Sequence, residues 1–127
     1  MASLTTTNGA QFTFDPNSVI AVADHDAATG EAVTCVYGLT AGVLKIYEAV
    51  VAFLARIGVT AKFATLTRPN GSPIWINGSS VSTIRAPLPG EYTAAVKSVI
   101  SVGSLIQGVT EDPASATVQI DAHGGNL

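Results

Sequence analysis

Most of the chain alternates between apolar and polar residues in short runs, the pattern of β-strands that bury one face. The pattern predicts four strands in the first half of the chain, at residues 3–6, 11–14, 19–23 and 32–37. It predicts four more in the second half, at residues 62–67, 72–76, 81–85 and 96–102, with residues 105–109 as a further candidate. The chain is therefore expected to be mainly β.

Turn signals separate these runs. An Asn-Gly pair stands between the first two predicted strands of each half, at Asn8 and Gly9 and again at Asn70 and Gly71. Both residues of a tight hairpin turn need a positive φ, which asparagine and glycine tolerate best. Each half of the chain is therefore expected to begin with a β-hairpin.

The spacing of apolar residues changes to a helical period in two places. Between Val43 and Ile57 apolar residues recur every three or four positions and Gly58 follows as a stop signal, so a helix is predicted over residues 44–57. Asp112 followed by Pro113 is typical of a helix N-terminus and predicts a helix over residues 114–120. β-Branched residues in that segment keep a strand as the alternative.

Two stretches of the chain match at one constant interval, the interval from Asn8 to Asn70, which we call the repeat spacing. The matched pairs include Asn8 and Asn70, Phe12 and Ile74, Phe14 and Ile76, and Val19 and Val81. The predicted fold is therefore α+β and mainly β: a tandem duplication of a ββββα unit, with the two copies packed as a pseudo-two-fold pair. The predicted domains are residues 1–58 and 59–121, followed by a C-terminal arm at residues 122–127. A single copy of about 60 residues would bury little surface alone.

This duplication also predicts the hydrophobic core. The residues expected to be buried are Phe12, Phe14, Val19, Val22, Val33, Cys35, Ile74, Ile76, Val81 and Ile84, with Val50 and Leu54 of the first helix against them.

Charge is scarce, at 12% of residues against roughly 25% in a typical soluble domain. The net charge is −3, and the six Lys and Arg residues are scattered, so neither nucleic acid nor an anionic membrane is expected as a partner. A neutral surface of small residues loses little side-chain entropy when another protein covers it. No signal peptide or transmembrane segment is recognised.

Few residues suggest chemistry. Asp24, His25 and Asp26 form the one cluster with metal-ligand residue types, but adjacent residues on an extended segment point to opposite sides, so a solvated turn is favoured. Cys35 lies on an apolar face and is interpreted as a buried thiol. No catalytic residue, cofactor, metal or small-molecule substrate is predicted.

Two places are predicted to contact other proteins. Trp75 lies between the predicted core residues Ile74 and Ile76 and so points to the opposite face, where it is either covered by a helix or exposed at an interface. The polar arm is expected to contact another subunit and not its own domain. Its interface residues are His123, Gly124, Gly125, Asn126 and Leu127.

Residues 65–77 and 81–84 combine a strand ending at an Asn-Gly turn, an apolar–x–apolar pair and a short turn into an Ile/Val strand. In these features one unit resembles the flagellar protein FlbD family. The second copy matches better than the first. The resemblance implies a small accessory role in a large machine and no catalytic residues.

The quiet surface and the duplicated unit predict a non-enzymatic structural subunit of a large assembly, such as a phage virion accessory or decoration protein. The alternative is a bacterial flagellar accessory factor of the FlbD type. The expected partners are other protein subunits, and the expected location is the virion, after synthesis in the bacterial cytoplasm.

Overall fold

The structure is a computed structural model that describes residues 2–26, 32–40 and 42–127. The chain is mainly β, as predicted, with antiparallel strands and an α-helix in each of two compact units, Met1–Thr60 and Ala61–Leu127. We call these the N-terminal and the C-terminal unit. Within the described ranges no helix is both long and apolar enough to cross a membrane.

The N-terminal unit begins with a β-hairpin. Strands β1 (Ala2–Thr5) and β2 (Gln11–Phe14) pair antiparallel around a turn in which Gly9 has a φ of +91°. A 3₁₀ turn, Pro16–Ser18, follows, and the Asp15 carboxylate caps it by accepting a hydrogen bond from the Asn17 amide. The hairpin forms where the sequence predicted it, but only Gly9 of the Asn-Gly pair has a positive φ, so the expectation of a positive φ at Asn8 is wrong.

Three antiparallel strands and a helix complete this unit. The strands are β3 (Ala21–Asp26), β4 (Ala32–Tyr37) and β5 (Leu44–Ile46), with β4 between the other two. Helix α1 (Val50–Ile57) packs on β3 and ends at Gly58, whose φ of +79° suits glycine. The ring centroids of Phe14 and Phe53 lie 6.3 Å apart in the core.

The prediction of one helix over residues 44–57 is wrong in its first part. Residues 44–46 form β5, in which Ile46 pairs with Thr34 of β4 and is buried. Tyr47, one of the apolar residues at helical spacing in this segment, is 58% exposed. Backbone pairing with β4 outweighs the local helical spacing, and the Thr34 hydroxyl holds the Glu48 carbonyl at 2.6 Å just before α1 begins.

The C-terminal unit has the same order of elements. Strands β6 (Phe63–Thr67) and β7 (Pro73–Asn77) form a hairpin, and a 3₁₀ turn, Gly78–Ser80, is capped by the Asn77 side chain, which accepts from the Ser79 amide. A second antiparallel sheet contains β9 (Ser98–Val102) between β8 (Val81–Arg85) and β10 (Leu105–Val109).

Helix α2 (Pro113–Ala122) closes this unit by packing on β6, β8 and the 3₁₀ turn. Asp112 is its N-cap and accepts a hydrogen bond from the Ser115 amide, as the Asp-Pro pair predicted. The strand alternative for this segment is therefore wrong. Each unit contains five strands within the described residues, one more than the predicted ββββα unit, because β5 and β10 both join a sheet.

Most of the predicted core is confirmed. Phe14, Val19, Val22, Val33, Cys35, Val50, Leu54, Ile74 and Ile76 are buried. Three residues are only half-buried and correct the prediction: Phe12, Val81 and Ile84. Phe12 lies close to the hairpin turn, and β8 has a bulge between Val81 and Thr83 that breaks the alternation of its faces.

Candidate interaction surface

Trp75 lies on β7, opposite Thr65 of β6, with a half-buried side chain. Its neighbours Ile74 and Ile76 are buried at 1% and 0% exposure, so they face the core as predicted. Trp75 therefore lies on the other face of the strand, and its partial exposure makes it a candidate contact residue.

The C-terminal segment contacts its own unit, which corrects the prediction that it does not. The amides of His123 and Gly125 both donate to the Ile120 carbonyl, at 3.0 and 2.9 Å. The Leu127 amide donates to the Asp121 carboxylate at 3.0 Å. These bonds satisfy the Ile120 carbonyl near the end of α2 and tie the segment to the helix, so the segment is held by local capping.

A glycine lets the end of α2 lie close to the 3₁₀ turn. A Cβ at Gly78 would collide with the backbone carbonyls of Ile120 and His123, so the 3₁₀ turn and the helix end fit only because residue 78 has no side chain. The His123 ring nitrogen Nδ1 lies 2.7 Å from the Gln119 carbonyl oxygen. Of the predicted interface residues here, Gly124, Asn126 and Leu127 are exposed, and the Leu127 side chain is 46% exposed.

The cluster of Asp24, His25 and Asp26 was predicted as a turn, but its backbone belongs to β3. Its continuation at residues 27–31 lies outside the described residues. No group of three or more His, Cys, Asp or Glu side chains that could hold a metal is found among the side chains that the structure describes. Cys35 is buried at 7% exposure, as predicted.

Sequence reasoning missed an open cleft in the N-terminal unit. A cavity of about 490 Å³ lies between β1 on one side and the end of β5 with α1 on the other; we call it the β1–β5 cleft. Its lining residues are Ser3, Leu4, Thr5, Thr6, Ile46, Tyr47, Glu48 and Arg56. No local signal announces the cleft, because it depends on how far two non-adjacent strands stay apart.

An ion pair forms one wall of the cleft. Arg56 donates from Nε and Nη2 to the Glu48 carboxylate at 2.9 to 3.1 Å, and this hydrogen bonding raises the pKa of Arg56. The same guanidinium lies over the Phe53 ring, 5.6 Å from its centroid. Arg56 is therefore fixed on the helix surface by a bidentate pair and a cation–π contact.

The C-terminal unit carries its own ion pair in an exposed loop. Arg85 donates from both Nη atoms to Glu91 at 2.7 and 2.8 Å, and the Leu88 amide donates to the same carboxylate at 3.0 Å. Bonding to Arg85, and then to Leu88, lowers the pKa of Glu91 to about 2. The pair braces a loop that presents Leu88 at 64% exposure.

Large apolar side chains are exposed in both units. The most exposed are Tyr47, Val51, Leu88, Ile106 and Val118, each between 58% and 65% exposed. They lie on a chain with few charges, so they are more prominent than scattered apolar residues on an ordinary charged surface. Searches for similar protein families, curated proteins and solved structures find no match to this chain.

Proposed function

We propose that this protein is a non-enzymatic structural subunit that assembles with other protein chains, as an accessory or decoration protein of a phage particle. The observation that carries the proposal is the exposure of Val51, Leu88, Ile106 and Val118, at 60% or more, on a chain with only 12% charged residues. Such side chains lose unfavourable contact with water when another subunit covers them.

The braced loop around Leu88 supports the same role. A contact residue that is already held in place loses less conformational freedom on binding. The ion pair between Arg85 and Glu91 and the bond to the Leu88 amide supply that order in the absence of a partner.

The proposed subunit arose by tandem duplication of one unit. Both units run hairpin, 3₁₀ turn, three antiparallel strands and helix in the same order. Asp15 and Asn77, which match at the repeat spacing, cap the two 3₁₀ turns in the same way. An experimental structure in which the two units fail to superpose at Phe14 and Ile76 would remove this part of the proposal.

An antibody against the purified protein tests the virion role. It should label phage particles purified from cells that express the gene from its native locus, at a constant number of copies per particle. Particles without the protein would contradict the proposal.

The flagellar alternative is favoured by one observation, the resemblance of residues 65–77 to the FlbD family. It predicts labelling of isolated flagellar basal bodies by the same antibody. Flanking genes for capsid and tail proteins favour the first role, and flanking genes for flagellar motor proteins favour the second.

A further inference from the structure

The edge of β1 that faces the cleft has backbone groups that its hairpin partner does not use. The Thr6 amide donates to the Ala10 carbonyl across the hairpin, whereas the Thr7 amide points the other way and donates to the Lys45 carbonyl of β5. Directions alternate along an antiparallel strand, so the amides and carbonyls of Ser3 and Thr5 also point away from β2. They face the β1–β5 cleft.

The C-terminal unit shows what satisfies such an edge. Thr67 matches Thr5 at the repeat spacing and stands at the same place in its hairpin. Its amide and hydroxyl both donate to the Glu111 carboxylate at 2.9 Å, and its carbonyl accepts from the Thr110 amide at 2.9 Å. The described residues of the N-terminal unit offer Thr5 no such partners, and its edge opens on the cleft.

The cleft lining indicates the chemistry of its occupant. Arg56 and Glu48 neutralise each other, so the lining has no net charge, and Leu4 and Ile46 are buried apolar residues beside the open edge. An occupant with unpaired charges would lose hydration without gaining a partner. An extended backbone with small apolar or uncharged side chains matches both the edge and the lining.

We infer that the β1–β5 cleft binds an uncharged, extended segment of another protein, which adds to the outer edge of β1 as a strand. The segment bonds through its main chain to Ser3 and Thr5, and Tyr47 covers it from the other wall. The C-terminal segment of a second copy is not free to supply this strand, because residues 123–127 are held by α2. This site deepens the proposed structural role and rests on it.

A peptide titration tests the site on the isolated protein. The probe is an acetylated and amidated pentapeptide of alternating threonine and valine. It is added to the unmodified protein, and the backbone amide signals of the protein are recorded by NMR. Saturable shifts at Ser3, Thr5 and Tyr47, with a Kd of about 1 mM or below, are expected. No saturable shift at several times that concentration, or shifts confined to β2 or the C-terminal unit, would overturn the inference. So would concentration-dependent pairing of two copies through the cleft.

Two variants and two modified peptides localise the binding. Thr5→Pro removes the amide that faces the cleft and should weaken binding about fivefold to tenfold. Thr13→Pro, at an edge position on the opposite side of the same hairpin, should leave it within about twofold. Thermal unfolding, monitored by circular dichroism, verifies that both variants fold.

If Thr5→Pro does not fold, the modified peptides give the same answer on the unmodified protein. Methylation of the peptide amides should weaken binding by a similar factor, because it removes the donors to β1. A peptide with glutamate in place of threonine should also bind more weakly. Equal binding by all three peptides would overturn the inference, while particles labelled in the antibody experiment would still support the structural role.

Discussion

The two units differ in the hydrogen bonds that join their first hairpin to the rest of the unit. In the N-terminal unit, one backbone hydrogen bond, from Thr7 to Lys45, joins the hairpin to the three antiparallel strands within the described residues. In the C-terminal unit, Thr67 bonds to both the Thr110 amide and the Glu111 side chain. The same order of elements therefore yields an open cleft beside Thr5 in one unit and a bonded edge at Thr67 in the other.

Individual residues explain this difference. Pro69 matches Thr7 at the repeat spacing and has no amide hydrogen, so the equivalent of the bond from Thr7 to Lys45 cannot form in the C-terminal unit. Buried hydroxyls hold the carbonyls of Glu48 and Glu111 at 2.6 Å in both units, so these glutamates leave the sheet at equivalent places. The Glu48 carboxylate then bonds to Arg56 and not to β1.

The C-terminal unit lacks an arginine at the corresponding place. Gln119 follows Glu111 at the same interval at which Arg56 follows Glu48. Without a guanidinium beside it, the Glu111 carboxylate turns to Thr67. We therefore expect this one helix residue to decide whether the glutamate bonds to the helix or to the strand edge.

The helices provide the largest predicted contrast. α1 buries Phe53 at 0% exposure, whereas α2 buries Ala116 at the corresponding place. Phe53→Ala should lower the free energy of unfolding in urea by about 3–5 kcal/mol, because it removes a fully buried ring. Val51→Ala on the exposed face of the same helix should change it by less than about 0.5 kcal/mol. A cost below about 1 kcal/mol for Phe53→Ala would place its ring outside the core.

The next largest expected difference is in the free energy of unfolding that is lost when Glu111 or Glu48 is replaced by alanine. Glu111→Ala leaves the Thr67 amide and hydroxyl without their acceptor, and hydrogen bonds to a charged group contribute about 1.5–3 kcal/mol. Glu48→Ala breaks a partly exposed ion pair, for which about 0.2–1 kcal/mol is usual. Urea unfolding of both variants measures the difference. Equal losses would mean that Glu111 does not seal the edge of β6.

One substitution should give the N-terminal unit the bond between glutamate and strand edge that the C-terminal unit has. Arg56→Gln releases Glu48, which is then expected to accept from the Thr5 amide. Hydrogen exchange at Thr5 should slow at least about tenfold, towards the rate at Thr67, while stability changes by less than about 1 kcal/mol. Adding Glu48→Ala to Arg56→Gln is the control and should restore fast exchange. Unchanged exchange at Thr5 in Arg56→Gln would show that the ion pair does not keep the cleft open.

Much of the fold could be predicted because local signals determine it. The Asn-Gly turns, the cap at Asp112 and the stop at Gly58 act through their immediate neighbours, and each stands where the sequence placed it. The start of α1 could not be predicted, since residues 44–46 have helical spacing but pair with β4. That pairing is a long-range contact, which local periodicity does not report.

The candidate site was harder to predict for the same reason. Trp75 was found by strand alternation alone, and its half-burial fits that analysis. The β1–β5 cleft was missed because it depends on the separation of two strands that are far apart in the sequence. The duplicated pattern contained a usable signal, the replacement of Thr7 by Pro69 and of Arg56 by Gln119 at otherwise matched places.

The smallest expected effect is a change in the pKa of Glu91. It distinguishes the two Arg–Glu pairs, which hold different parts of the structure. Arg56 of α1 pairs with Glu48 just before that helix, whereas Arg85 and Glu91 brace an exposed loop. The pKa of Glu91 is lowered from 4.5 to about 2 in the folded protein, by Arg85 first and by the Leu88 amide second. Because the folded pKa lies below the unfolded one, the stabilising contribution is present above about pH 4.5 and is lost as the pH falls towards 2. Arg85→Met should raise the pKa of Glu91 only part of the way to 4.5, since the Leu88 amide still donates. A ¹³C NMR titration of the Glu91 carboxyl measures this, and an ordinary glutamate pKa in the unmodified protein would show that the loop is not braced.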